Sequence, residues 1–174
     1  MSLFPKISKW LVPERLLDES LAEMCLDGRN GDEGICLWLG VRNEQECTAT
    51  ISHLVRLRGS GIRKSPGNIQ IEPRVMREVH HAAQELRLIL VGQIHSHGRS
   101  YGVNLSYVDI KYGVSVPYYL SVVAPDYAMT AKTQWKDCGT HIYFPGTGYK
   151  RVSPGGVIAV QSSLNLAVVT VTNE

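Results

Sequence analysis

The segment Leu88-Ile-Leu-Val-Gly-Gln-Ile94 runs directly into His95-Ser96-His97. A short run this rich in branched aliphatic residues reads as a buried strand, because only a strand covered on both faces can place so many apolar side chains out of water. Side chains two apart on a strand share a face, so both imidazoles leave the same side at the strand's carboxyl end. Any fold for this chain must therefore cover that strand on both faces and leave its end open. A glycine-containing loop follows, then Ser106-Tyr-Val-Asp109 at the start of a new apolar segment. Two imidazoles and a carboxylate brought to one place suit a zinc ion with a fourth position open to water. Each piece also has a plainer reading. A lone histidine at a strand end is usually a surface or core residue, and Ser106-x-x-Asp109 is a capping-box pattern for a helix start. The capping and metal readings are compatible, since a capped helix start would hold Asp109 still.

Residues 1–12 read as an extended lead-in, and Pro13 suits the first turn of a helix. Leu16, Leu17, Leu21 and Met24 then recur at helical spacing, and Asp27-Gly28 stops that helix. Arg29 to Asp32 is a turn. Glu33-Gly34 opens a second buried strand, Ile35 to Leu39, ending at Gly40; at this edge Glu33 is either a solvated charge or a group held beside the core. A third strand, Thr48 to Leu57, could pair with it through the turn at Arg42-Asn43-Glu44-Gln45. Residues 58–69 read as a glycine-rich basic loop, whose Arg58, Arg63 and Lys64 meet either an acidic partner or water. The loop lacks the spacing of a phosphate-binding loop.

Pro73 starts a second helix with Val75, Val79, Ala82, Ala83 and Leu86 on its apolar face. His80 and His81 lie in this helix but diverge in direction, so they are surface residues and not joint ligands. After Asp109 the third helix runs to about Val114, stopped by Ser115-Val116-Pro117. Tyr118 to Ala124 is a further strand. Thr133 to Phe144 and Tyr149 to Val152 are outer strands, the first carrying an isolated His141 without an evident role. Pro154-Gly155-Gly156 marks a boundary. It divides a domain over 1–152 from a tail over 153–174, whose segment 157–174 forms a last strand or packs on a partner. The alternation of helices and strands around one sheet predicts an α/β (α+β) single domain, with a central mixed sheet flanked by helices.

A net charge of +2 is too small to indicate a nucleic-acid partner. No apolar run approaches the roughly 18 residues of a membrane span, and Met1 to Trp10 has no signal-peptide core. Cys25, Cys36, Cys47 and Cys138 form no C-x-x-C pair. This argues against a zinc ribbon or redox motif and fits a reducing cytoplasm; Cys25 and Cys36 read as small core residues. There is no H-E-x-x-H, and no deaminase pairing of H-x-E with P-C-x-x-C.

Glu33 before a buried strand, His95-Ser96-His97 at the end of a later strand, and Ser106-x-x-Asp109 together resemble the signature of the JAMM (JAB/MPN) metallopeptidases. The runs Glu-Gly-Ile-Cys-Leu-Trp-Leu-Gly and Val-Gly-Gln-Ile-His-Ser-His look most like the prokaryotic JAB branch. The resemblance covers roughly residues 10–150. Two features depart from the family pattern: Gly98 stands where a proline is usual, and residues 98–105 make eight where seven are usual. The loop is expected to bulge, with Gly98 and Gly102 absorbing the extra residue.

The resemblance implies that His95, His97 and Asp109 bind zinc, that Glu33 is the general base, and that Ser106 stabilises the oxyanion. Gln93 shares parity with the histidines and is either a support for a ligand or a buried satisfied amide. The implied reaction is hydrolysis of a peptide or isopeptide bond after the Gly-Gly tail of a ubiquitin-like protein. The implied setting is a bacterial conjugation operon with activating and conjugating (E1-like and E2-like) enzymes, linked to phage defence. Alternatives are a metal-free MPN-type scaffold, or a JAB peptidase processing a sulfur-carrier protein.

Overall fold

The computed structural model describes residues 5–130 and 132–173. Residues 1–4 of the expected lead-in and the last residue of the tail lie outside them. In chain order the elements are β1 (Lys9–Pro13), α1 (Leu16–Gly28), β2 (Ile35–Asn43), β3 (Thr48–Gly59), β4 (Ile62–Ser65), β5 (Asn68–Ile71), α2 (Pro73–Glu85) and β6 (Ile89–Ser96). They continue as α3 (Tyr107–Tyr112), β7 (Leu120–Ala124), β8 (Gly139–Phe144), β9 (Gly148–Val152), α4 (Pro154–Val157), β10 (Ile158–Gln161) and β11 (Ala167–Asn173).

The main sheet runs β10-β1-β3-β2-β6-β7-β8-β9, and β11 joins it on β3. The sheet is mixed: β2 lies antiparallel to both β3 and β6, whereas β6 and β7 are parallel. Strand β2 shows why its sequence is continuously apolar. Cys36 and Trp38 point into the cluster beneath α1, and Ile35, Leu37 and Leu39 into the cluster beneath α2. Alternate side chains thus enter two different cores, one on each face of the sheet. In α2 the buried stripe is Val75, Val79 and Ala83, while His80 and His81 are exposed. Leu86 lies just past the helix and is exposed. None of the described helices is long and apolar enough to cross a membrane.

Several local expectations are corrected. Pro13 closes β1 and does not open α1, which begins three residues later. The backbone of β1 is already paired between β10 and β3, so the proline falls where the ladder ends. The stretch 58–69 is not a loop but includes most of the β4–β5 hairpin. Pro66-Gly67 makes the reversal, with Gly67 at φ 79°, and Ile62, Ile69 and Ile71 pack on the α2-side core. Its basic residues have partners within the chain: Arg58 pairs with Glu23, Lys64 lies 2.6 Å from Asp27, and Arg63 is 3.9 Å from Glu72. α3 ends at Tyr112, short of Val114. A side chain at Gly113 would run into the Asp109 carbonyl. β7 begins at Leu120 and β8 at Gly139, because Trp135–Asp137 forms a helical turn first. Of the two alternatives for the segment after 157, the described residues take the first: they form β10 and β11, both parallel additions to the main sheet. Cys36 and Cys138 are buried, whereas Cys25 and Cys47 are half-exposed; all four are free thiols.

Candidate metal centre and its cleft

The end of β6 places His95 and His97 over the α2 side of the sheet, because β6 is in register with β2 and His95 stands opposite Ile35. The backbone N–H of His97 donates to the Ala124 carbonyl at 2.9 Å, which prolongs the pairing of β6 with β7 by one residue. Both histidines are buried, and their rings meet edge to face with centroids 5.0 Å apart. Asp109 arrives from α3, whose start is the expected capping box. The Ser106 hydroxyl accepts from the Asp109 N–H at 3.2 Å, and the Asp109 carboxylate accepts from the Ser106 N–H at 2.7 Å.

The three groups converge. His95 Nε2 and His97 Nε2 are 3.2 Å apart, and they lie 3.3 and 3.2 Å from the two oxygens of Asp109. Bonds of about 2.0–2.1 Å to a tetrahedral ion require ligand atoms about 3.3 Å apart, so the triangle has the edges of such a site. With both imidazoles neutral, the two Nε2 atoms and the carboxylate can turn their lone pairs on one cation. His95, His97 and Asp109 thus form a group that could hold a metal ion. The orientation of His97 is fixed from behind, since its Nδ1 lies 3.0 Å from the Gly102 carbonyl. A carbonyl only accepts, so Nδ1 carries a proton; the neutral ring then presents its Nε2 lone pair to a cation, and the protonated ring donates from Nε2 to Asp109. The eight-residue loop turns at Ser100 (φ 78°) and Gly102 (φ 67°), so Gly102 takes the expected role. Gly98 does not, for its backbone is outside the left-handed region.

The electrostatics follow the geometry. Burial raises the Asp109 carboxyl, but hydrogen bonds from His95 and His97, with Ser106, outweigh it and hold the group well below the usual carboxylate range. Burial opposes protonation of His97, yet its bond to Asp109 and the charges of Asp109 and Glu33 raise it. Glu33 is not a solvated charge: it is 5% exposed. Its carboxyl is raised chiefly by burial, with the histidines and the Gly98 N–H pulling the other way. That N–H reaches Glu33 Oε1 at 3.4 Å.

Ser96 had no assignment from the sequence, and it ties the site together. Being of opposite parity to the histidines, it points to the α1 side and is fully buried. Its hydroxyl accepts from the Gly34 N–H at 2.9 Å, and its own N–H donates to the Gly34 carbonyl at 2.9 Å. This pair clamps the residue after Glu33 to the residue between the two histidines. Ser96→Ala leaves the Gly34 N–H buried without its partner and is expected to cost about 1–3 kcal/mol. Chemical denaturation of the two proteins checks this.

Gln93 accepts from the Tyr119 hydroxyl at 3.2 Å and lines the cleft beside His95. Its amide oxygen is thereby partnered on the cleft wall. His141, far from being peripheral, is buried on the same face of the sheet, in register with Ser121 and through it with Gln93. Burial is the main reason its imidazole is pushed down to about 4.

A cleft of about 590 Å³ opens at the site. Glu33, His95 and Asp109 line one part, and Ile69, Ile71, Met76, Val108 and Val114 supply apolar walls. Strand β5 forms one side of it, pairing with β4.

No protein-family model matches the chain, and neither does any curated protein. Among solved structures it is similar to the solution structure of protein DSY2949 from Desulfitobacterium hafniense. The likeness has a TM-score of 0.62 over 89% of this chain and 94% of that one, at 15% identity, and is one of fold.

Proposed function

We propose that the protein is a zinc-dependent peptidase or isopeptidase of JAMM type, cleaving after the extended carboxyl-terminal tail of a ubiquitin-like protein. The observation that carries this reading is the buried, raised carboxyl of Glu33 sharing one cleft with His95 and Asp109 of the group that could hold a metal. Zinc bound there would polarise a scissile carbonyl and acidify a water. Glu33 takes up the proton released at its carboxylate and hands it to the leaving amine. Its affinity for a proton, raised chiefly by burial, suits that exchange. Ser106 uses its hydroxyl oxygen to accept from Asp109, which leaves the hydroxyl hydrogen for the carbonyl oxygen of the substrate. The apolar walls favour an extended peptide, which can lie along β5 as an added strand with alternate side chains in the cleft. Free thiols at all four cysteines suit a reducing, cytoplasmic setting beside activating and conjugating enzymes.

The test is cleavage of a panel of ubiquitin-like and sulfur-carrier proteins ending in Gly-Gly, each joined to a reporter through an α-amide or a lysine ε-amide. Release after Gly-Gly that a chelator stops and added zinc restores is the expected result. Zinc-loaded protein that cleaves none of them would sink the assignment.

A further inference from the structure

We infer that Tyr127 is a positioning residue for Glu33, acting through Gly98; this rests on the reading of Glu33 as the base. Asp126, Tyr127 and Ala128 have φ of 51°, 56° and 57°, a run of three left-handed residues with no glycine among them. L-residues adopt this conformation reluctantly and rarely in succession, so the surroundings must enforce it. They do so from two sides. The Tyr127 N–H donates to the His97 carbonyl at 2.7 Å. The Tyr127 backbone lies so close to Gly28, at the end of α1, that a side chain there would collide with it. The turn therefore drives the phenol onto Gly98: a Cβ at Gly98 would sit 2.6 Å from the phenol oxygen and 2.7 Å from the carbon bearing it.

Gly98 is consequently held between the phenol and the Glu33 carboxylate that its N–H contacts at 3.4 Å. A proline here would bring its ring into the phenol and have no N–H to donate. Both requirements, no side chain and a free N–H, point to glycine. Gly28, which the sequence presents as a helix stop, is needed for the same reason: its bare Cα admits the Tyr127 turn.

The experiment uses the full chain, zinc-loaded, with Tyr127→Asn, Tyr127→Phe, Gly98→Ala and Glu33→Ala. Asparagine tolerates left-handed φ, so Tyr127→Asn removes the ring without adding strain. Two quantities are read: turnover of a Gly-Gly fusion, and the Gly98 amide in the ¹H–¹⁵N spectrum. In Tyr127→Asn, kcat is expected to fall about ten- to hundredfold with KM and zinc content unchanged. The Gly98 amide is expected to move as it does in Glu33→Ala. Tyr127→Phe keeps the ring and should restore both, and Gly98→Ala should mimic the loss from the other side of the contact. Wild-type kcat in Tyr127→Asn, or an unmoved Gly98 amide, would overturn the inference. If the wild-type protein cleaves no fusion, the peptidase reading has failed separately. The amide then decides alone. A shift in Tyr127→Asn along the direction it takes in Glu33→Ala, absent in Tyr127→Phe, supports the contact's hold on Gly98. No shift, or one that Glu33→Ala does not share, overturns it.

Discussion

His97→Ala is expected to abolish zinc binding and turnover together while leaving the protein folded. His97 Nε2 is one corner of a triangle whose other corners, His95 Nε2 and Asp109 Oδ2, lie 3.2 Å away. Losing that corner leaves two protein ligands where a stable catalytic zinc site uses three. Even removing an outer hydrogen bond to a ligand costs about 10–100-fold in affinity, so losing a ligand should exceed that. The fold should persist because the two cores lie to either side of the sheet and His97 follows the end of β6. Elemental mass spectrometry on chelator-free protein, with circular dichroism alongside, measures both. Stoichiometric zinc in the variant would remove His97 from the ligand set. For the carboxylate the informative change is Asp109→Asn. Asp109→Ala would also remove the carboxylate that accepts from the Ser106 N–H in the capping box, and so confuse a lost ligand with a frayed helix.

Glu33→Ala is expected to do the opposite, keeping zinc and losing turnover by about 10²–10⁴-fold, the range for a positioned general base. Glu33 is buried beside the triangle but is not one of its corners. The wild-type rate should fall as pH drops through the carboxyl's raised value, because a protonated carboxyl cannot accept the proton. The residual activity of the variant should lack that acidic limb. A variant that turned over at the wild-type rate, or that lost its zinc, would assign Glu33 a different role.

What local spacing encodes was legible in the chain. The parity of His95 and His97, the capping box at Ser106 and Asp109, and the doubly buried run of β2 all depend on residues a few positions apart. Their side-chain directions follow from the strand and helix periods alone. The polar hairpin β4–β5 was hidden because its signal is three isoleucines in a basic, glycine-rich stretch. They become a strand pattern only once the α2-side core gives them something to pack on. Strands β10 and β11 were undecided for a related reason: parallel pairing with β1 and β3 is a choice of distant partner, to which local periodicity is blind.

The site divides in the same way. The sequence by itself determined which residues could bind a metal, and that two of them leave the same face of one strand. Tertiary structure decided which groups hold them there. Ser96 matters because β2 and β6 are in register, so that its hydroxyl meets Gly34, 62 positions away. Gly98 and Gly28 matter because a left-handed turn far along the chain is pressed between them. Such contacts are set by packing between segments whose separation in sequence carries no period. They arise only when the whole chain closes on itself, and no residue spacing records them beforehand.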